Sequence, residues 1–590
     1  MKLTGQQQQA IFHQGNLSLV SCPGSGKTHT IVARLLRCVD EVKDTTRRIG
    51  CITYTRAAVN EIQYRLSHYL GCDEFEDKFD IGTIHSFCLN NILRPNHWRL
   101  DTFREGFEVL TPDDERCQNI VDGVINDHSL DRRASDNFEL LFRGLIPPYN
   151  ITTSAAEDYW NRLDEENYVD FNGIIYYAAQ LTQAYPFISA GLGSTFAWLL
   201  VDEFQDTSEY QVQILNAIAS HGRTKFFIVG DPGQSIMSFA GGRPDLMDDF
   251  AYGISARGDL SLSGNFRSSD LIVSLAEDLQ PRDPEMEAIG ENKNYDFVPV
   301  WKHTDTLFSG LEDYFLPEIE GREIDWGECA ILAPNFYVLC EIAPRLRDMG
   351  IPLIGPGARP YKKSSHLIAP LAEEICSYIE AGDSRMIRNL RRRLREIIEN
   401  CESRWNPKLF TFNGDLAIAK IAAMARRLRD ENPAIRSFLE DFASGCATFM
   451  IDHELLTSSS RDMIVDSATS MIDDIENHRG RSGIDVDNFS VSEMGLFAMG
   501  HRSIKLLTLH KAKGREFDAV AIVRAHDGLI PYGNPPSGSG EENEARRLMY
   551  VGITRARKVL MLFSDNSDSR GNRPSRFLWE IFPDGPKKSP

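Results

Sequence analysis

The sequence predicts an α/β fold: two regions of parallel sheet flanked by helices, each interrupted by a mainly helical insertion. Three observations lead there. Short apolar runs such as Leu17–Val20, Phe196–Val201 and Ala519–Val523 alternate with stretches of helical spacing, the pattern of strands buried on both faces. Two long stretches, 89–167 and 376–499, lose that alternation and read as helical. The 590 residues also exceed what one hydrophobic core supports. The expected division is 1–88 with 168–258 as the first α/β domain and 89–167 as its insertion. A second domain, 259–375 with 500–590, then carries a shorter insertion, 376–499.

Composition narrows the class. With 42% hydrophobic and 25% charged residues the chain is globular in type. A net charge of −21 argues against coating duplex DNA by bulk charge, while leaving room for a local basic groove. The 11 cysteines form no C-x-x-C pair, which suits a reducing compartment and points to neither a zinc site nor a disulfide framework. Met1-Lys2-Leu3-Thr4 has no signal-peptide pattern and no run of 18 apolar residues occurs, so a cytoplasmic protein without a membrane partner is expected.

The first apolar run breaks into Ser21-Cys22-Pro23-Gly24-Ser25-Gly26-Lys27-Thr28 and then a helix. Strand, small-residue turn and helix N-terminus together make a phosphate-binding P-loop: backbone N–H groups curl around phosphate oxygens and the helix dipole adds positive potential. Lys27 is expected to reach the β- and γ-phosphates and the Thr28 hydroxyl to meet Mg²⁺. The pattern G-x-x-x-x-G-K-[ST] has Gly at its first position, where this chain has Ser21. Upstream, Gln7 has the donor and acceptor to read an adenine edge, against the alternative of a surface glutamine. The run Gln6–Gln9 leaves its register open.

A second β–α unit joins Ile49–Tyr54 to a helix from Thr55, and a third stands at Gly82-Thr83-Ile84-His85-Ser86-Phe87. Hydroxyls, Arg56 and His85 at these strand ends suit a phosphodiester chain, and ordinary helix capping by Thr explains the same pattern. The strand Phe196–Val201 ends in Asp202-Glu203-Phe204-Gln205-Asp206, which suits Mg²⁺ binding by Asp202 and activation of water by Glu203. After the strand Lys225–Val229, Gly230-Asp231-Pro232-Gly233-Gln234-Ser235-Ile236 places Gln234 to sense a γ-phosphate, and Phe239 is either a base-stacking or a buried aromatic. Asn265-Phe266-Arg267 sets an arginine and an aromatic after a further short strand. Arg385, Arg388, Arg391, Arg392, Arg393 and Arg395 form a basic helix that reads either as a nucleic-acid contact or as a solvated face paired with Glu396 and Glu399. The α/β pattern resumes with Thr508-Leu509-His510-Lys511-Ala512-Lys513-Gly514-Arg515-Glu516-Phe517 and closes with Tyr550-Val551-Gly552-Ile553-Thr554-Arg555-Ala556 before a last strand, Val559–Phe563.

Taken in order, these blocks resemble the UvrD/Rep/PcrA group of superfamily 1 DNA helicases, over almost the whole chain apart from the two helical insertions. The resemblance implies two RecA-like domains and an ATP- and Mg²⁺-dependent motor that steps 3′-to-5′ along single-stranded DNA and acts at single-strand/duplex junctions. It implies that Gln7 reads adenine and that Phe266 stacks on it where the family has tyrosine. Ser21 to Thr28 would cradle the phosphates, with Asp202 and Glu203 at the metal and the water. Gln234 would couple the γ-phosphate to DNA, Arg267 and Arg555 would be arginine fingers, and Glu516 would contact the ribose. Thr55, Arg56, Thr83, His85, Phe239 and His510 would line the single-strand track. The chain departs from the family at Met237 and Phe239, where Tyr and Trp are usual, at Ala240 for Arg, and at Arg56 for Asn; weaker or rearranged base stacking is expected. The second insertion lacks a Gly-Ile-Gly duplex-contacting element. Compact proteins of this kind also stand beside an OLD-family nuclease in anti-phage systems such as Gabija. That setting implies the alternative of an ATP-driven DNA-sensing subunit that unwinds little.

Overall fold

The structure, a computed structural model, describes residues 3–70, 77–112, 114–148, 150–237, 241–381, 386–402, 406–431, 434–478, 484–566 and 573–587. The chain divides into two compact units, Met1–Tyr295 with Pro536–Tyr550, and Asp296–Pro535 with Val551–Pro590.

In the first unit β1 (Leu17–Ser21), β2 (Arg48–Thr53) and β3 (Phe79–Thr83) precede the insertion, in which the short β4 (Glu108–Val109) and β5 (Tyr168–Val169) pair with each other. After it come β6 (Phe196–Val201), β7 (Lys225–Gly230) and β8 (Ser261–Leu262). These build a six-stranded parallel sheet in the order β3-β2-β6-β7-β1-β8. Its central strands carry unbroken apolar runs, Phe196–Val201 in β6 and Phe226–Val229 in β7, because both faces are covered. Trp198, Leu200, Phe227 and Val229 enter one core, with Leu17, Ile31 and Leu35. Leu199, Val201, Phe226 and Ile228 enter the other, with Ile174 and Phe250. Alternation with period two thus assigns each strand residue to one of two cores. The guanidinium of Arg34 lies 4.3 Å above the Trp198 ring and donates to the Ile11 carbonyl, tying the helix Gly5–Phe12 to the P-loop helix.

The insertion carries a core of its own, formed by the helices Glu115–Asp127 and Thr153–Glu165 through Val124, Ile125, Tyr159 and Leu163 with Phe138 and Leu141. A second parallel pair, β9 (Gly264–Asn265) with β10 (Glu287–Ala288), follows β8. The boundary expected at 258/259 therefore lies later. β8 hydrogen-bonds to β1, which keeps the stretch carrying Phe266 and Arg267 in the first unit, and that unit runs to Tyr295.

The second unit holds β11 (Val300–Thr304), β12 (Cys329–Ala333), β13 (Leu353–Ile354), β14 (Ile504–Thr508), β15 (Phe517–Ile522) and β16 (Ala556–Asp565) in the parallel order β11-β16-β15-β12-β14-β13. Between β13 and β14 the described chain is helical, with long helices at Met386–Glu402, Phe412–Glu431, Ile435–Asp452 and Arg461–Asn477. Four arginines of the basic helix are paired: Arg391 meets Asp415, Arg392 and Arg393 meet Glu374 and Glu396, and Arg395 meets Glu399, while Arg388 is exposed. Arg385 lies outside the described residues. Among the described residues no helix is long and apolar enough to cross a membrane.

Candidate active site

β1 ends at Ser21, whose hydroxyl donates to the Gly230 carbonyl at the end of β7 (3.1 Å). The chain then curls through Cys22–Gly26 into the helix Lys27–Val42. Gly24 (φ +69°) and Gly26 (φ +77°) are left-handed, a conformation that costs other residues about 1–2 kcal/mol. Space is short as well. A Cβ on Gly24 would stand 2.7 Å from Arg267 Cβ and 3.0 Å from Asn265 Oδ1, and one on Gly26 would stand 2.9 Å from Gln7 Nε2. Ser25 Oγ is buried with no hydrogen-bond partner. A cradle that only glycine can line, with an orphaned hydroxyl inside it, fits a phosphate group. Burial pushes the Cys22 thiol up to about 12, so it stays protonated and inert.

Two further segments close on this loop. Phe266 N donates to the Gly24 carbonyl (2.8 Å), and Asn265 Oδ1 accepts from Arg267 N (2.7 Å) and Ser268 N (2.9 Å), which seats Phe266 and Arg267 against the P-loop. Gln7 approaches from the other side. Its Nε2 donates to the Ser25 carbonyl (3.1 Å), while its Oε1 accepts from Thr4 N (3.0 Å) in a capping box. One N–H and one lone pair of that amide remain for a base edge. Gln6 instead pairs with Ser263 through both amide atoms (2.9 and 3.1 Å), so of these two side chains it is that of Gln7 that meets the P-loop.

The strand end opposite supplies the acids. Glu203 adopts φ +53° just past β6, so its carboxylate turns toward the loop, and Lys27 Nζ donates to Glu203 Oε1 (3.0 Å). Asp202 Oδ1 accepts from Glu203 N (3.0 Å). Burial works against the Lys27 charge, and Glu203, Asp202 and Asp231 outweigh it, holding its pKa above the usual value. Burial, and then the Glu203 charge, push Asp202 upward. A divalent cation reverses that tendency because it favours the carboxylate. Thr28 sits half-buried on the first turn of the same helix. Hydroxyl and carboxylate oxygens are the ligand type Mg²⁺ prefers, so the pair Thr28 and Asp202 fits that ion.

From Glu203 a hydrogen-bond chain runs inward. Gln205 Nε2 donates to Glu203 Oε2 (2.6 Å), Asp231 N donates to Gln205 Oε1 (2.9 Å), and Gln234 Nε2 donates to Asp231 Oδ2 (2.5 Å). Gln234 is thereby connected to the acid that faces Lys27.

The UvrD/REP helicase N-terminal domain matches residues 3–253, and the UvrD-like helicase C-terminal domain matches residues 469–567. ATP-dependent DNA helicase UvrD1 of Mycobacterium tuberculosis is 25% identical over 670 residues, covering 98% of this chain and 85% of its own. ATP-dependent DNA helicase PcrA of Leuconostoc citreum is 24% identical, with 99% and 85% covered, and PcrA of Staphylococcus aureus is 23% identical, with 98% and 86% covered. The chain belongs to the UvrD/Rep helicase family. It is an ATP-hydrolysing superfamily 1 enzyme with two RecA-like α/β domains, and membership supports ATP-dependent DNA helicase activity.

In this helicase Thr55 and Arg56 follow the end of β2 and Thr83 ends β3, and Thr53 in β2 is in register with Thr83, so these expected DNA contacts stand at neighbouring strand ends. Thr55 and Thr83 both cap helices: Thr55 Oγ1 accepts from Ala58 N (3.2 Å), and Thr83 forms a capping box with Ser86. Arg56 is exposed. His85 meets the Phe171 ring edge-on at 5.6 Å, and burial lowers its pKa to about 4, so it is neutral at physiological pH. Phe239 and Ala240 lie outside the described residues, and Met237 is half-buried.

In the second unit of the helicase, His510 stands half-buried on the turn after β14. Glu516 pairs with Arg557 (3.0 Å). Arg555 is 1% exposed, and its guanidinium donates to the Val551 carbonyl (2.8 Å), the Arg515 carbonyl (3.2 Å) and Thr554 Oγ1 (2.9 Å). An arginine finger at this position thus starts from an inward-turned rotamer. Sequence reasoning missed Gln205, Asp231 and Arg282 as members of the site. The first two stand inside recognised blocks without an assigned task. Arg282 lies in a Pro-flanked loop with no local signal at all.

Proposed function

We propose that this helicase couples ATP hydrolysis to 3′-to-5′ movement along single-stranded DNA. The observation that carries the reading is the Lys27–Glu203 contact of 3.0 Å with Asp202 alongside, at the mouth of a glycine-lined cradle. Backbone N–H groups of the loop and Lys27 bind the phosphates. Binding draws Lys27 away from Glu203, and the released carboxylate accepts a proton from the attacking water as oxygen adds to the γ-phosphorus and the bond to the β–γ bridging oxygen breaks. Thr28 and Asp202 hold Mg²⁺, which supplies charge neutralisation on the phosphates when bound. Arg267 and Arg555 act as fingers on the developing charge, and Gln234 reports the γ-phosphate. Gln7 and Phe266 hold the base and Glu516 the ribose. Thr55, Arg56, Thr83, His85, Phe239 and His510 grip a single strand, alone or at a single-strand/duplex junction.

Steady-state ATP hydrolysis with and without single-stranded DNA, followed by unwinding of duplexes with 3′ or 5′ tails, tests the reading. DNA-stimulated turnover with preference for 3′ tails is expected, and loss of both in Lys27→Ala. Preference for 5′ tails refutes the direction. Turnover without unwinding favours the alternative, an ATP-driven DNA-sensing subunit that works beside a separate nuclease of the OLD type.

A further inference from the structure

Arg282 sits in a loop of the first unit that a single carboxylate pins. Glu277, on the helix Asp270–Leu279, accepts from Arg282 N and from Met286 N, both at 3.0 Å. The side chain is 12% exposed and its partner Asp231 is fully buried. Its two terminal nitrogens serve three acceptors. Nη1 donates to Asp231 Oδ1 (2.8 Å) and to the Tyr550 hydroxyl (3.3 Å), and Nη2 donates to the backbone carbonyl of Ser21 (3.0 Å), the residue that opens the P-loop. Asp231 is the same carboxylate that accepts from Gln234 and, through its N–H, meets Gln205. Tyr550 lies on the helix Gly540–Ile553, which leads directly to Arg555. The three groups meet over Gly233. A Cβ there would stand 3.0 Å from Arg282 Nη1, 3.2 Å from Asp231 Oδ1 and 3.7 Å from Tyr550 Cε1.

A neutral cluster would need only a positive charge beside Asp231. The geometry has more than that: a planar fork spends its donors on a γ-phosphate-sensing strand end, on the start of the phosphate loop and on the arginine-bearing helix. Lysine carries the charge but not the fork. We propose that Arg282 is a positioning residue for ATP hydrolysis, holding Asp231 and Gln234, the P-loop entrance at Ser21 and Tyr550 of the helix Gly540–Ile553 in one fixed arrangement. The role rests on the functional reading above. It adds that movement at the γ-phosphate reaches the helix Gly540–Ile553 through Gln234, Asp231, Arg282 and Tyr550.

The test measures kcat and KM for ATP, with and without single-stranded DNA, in the full chain and in Arg282→Lys and Tyr550→Phe. Arg282→Lys is expected to fold, to keep KM within a few fold and to lose about 10- to 100-fold in kcat, because misplaced catalytic groups lower turnover more than binding. Tyr550→Phe removes one hydroxyl and should lower kcat several-fold at unchanged KM. A kcat within twofold of wild type in folded Arg282→Lys overturns the inference and leaves Arg282 as a counter-charge. If Arg282→Lys does not fold, an unchanged kcat in Tyr550→Phe overturns it instead. Wild-type turnover that ignores DNA refutes the translocase reading alone, because the kcat comparison stands on basal hydrolysis.

Discussion

Replacing Glu203 by Gln separates chemistry from architecture at this site. Gln keeps the volume but offers one acceptor oxygen where Glu203 uses two, so the substitution removes a negative charge, a base and one acceptor. The structural cost falls on two charge-assisted hydrogen bonds, Lys27 Nζ to Glu203 Oε1 at 3.0 Å and Gln205 Nε2 to Glu203 Oε2 at 2.6 Å, of which the amide oxygen can keep one. Such bonds contribute about 1.5–3 kcal/mol. Here the carboxylate is 24% exposed and Asp202 remains beside the lysine, so about 1–2 kcal/mol is expected, a shift of a few degrees in melting temperature. The kinetic cost is larger. A positioned general base contributes about 10²- to 10⁴-fold, or about 2.7–5.4 kcal/mol of barrier. Nucleotide affinity should move the other way. In the wild-type enzyme Lys27 must leave Glu203 to reach phosphate, and in the variant that ion pair no longer competes, so ATP should bind as tightly or more tightly. The assays are steady-state hydrolysis at saturating single-stranded DNA, equilibrium binding of a fluorescent ATP analogue, and a thermal melt. Turnover within tenfold of wild type, with normal nucleotide affinity, would refute Glu203 as the base. Weakened nucleotide binding would refute the competing ion pair.

Gly24→Ala should lower both melting temperature and nucleotide affinity more than Gly26→Ala. At Gly24 the new methyl meets Arg267 Cβ at 2.7 Å, whereas at Gly26 it meets the movable amide of Gln7; paired melts and binding titrations of the two variants check this. Arg555→Lys should bind ATP and lose about 10³-fold or more in turnover, with lower stability because the Val551 and Arg515 carbonyls lose their donor; near-normal hydrolysis would remove Arg555 as a finger. His85 is held neutral by burial down to about pH 4, while in the unfolded chain it protonates near its ordinary value of 6.5. Its linkage therefore favours the native state fully above pH 6.5 and is lost as pH falls toward 4. His85→Gln should show a smaller drop in urea midpoint between pH 7 and pH 5 than wild type. The same neutrality means that this substitution leaves the salt dependence of DNA binding at pH 7.5 unchanged.

Several departures from the sequence reading share a cause. Thr55 and Thr83 are described as helix caps, the alternative their sequence context left open, because a threonine at a strand-to-helix junction satisfies an orphan N–H whatever else it does. Arg391, Arg392, Arg393 and Arg395 of the helix Met386–Glu402 are paired along its own face and with Asp415 and Glu374, carboxylates on two other helices. Their clustering in sequence could not reveal those partners. The boundary expected after residue 258 moved because the short strand Ser261–Leu262 finds its hydrogen-bond partner in β1, more than two hundred residues earlier.

By itself the sequence determined the parts of this protein that depend on local spacing. An apolar strand, a turn of small residues and a helix starting at Lys27 specify a phosphate cradle, since each feature acts within a few residues of the next. Unbroken apolar runs such as Phe196–Val201 specify a parallel sheet covered on both faces, and Asp202-Glu203 at a strand tip specifies where the acids emerge. The tertiary structure alone decided which distant groups share that cradle. It set the amide of Gln7, one of four adjacent glutamines, against the Ser25 carbonyl, and within the second unit it turned the Arg555 guanidinium inward. It also joined Asp231 to Arg282 across 51 residues and Arg282 to Tyr550 across 268. Such pairings leave no periodic trace in the chain, because a hydrogen bond between segments brought together by folding constrains two residue types and not the spacing between them.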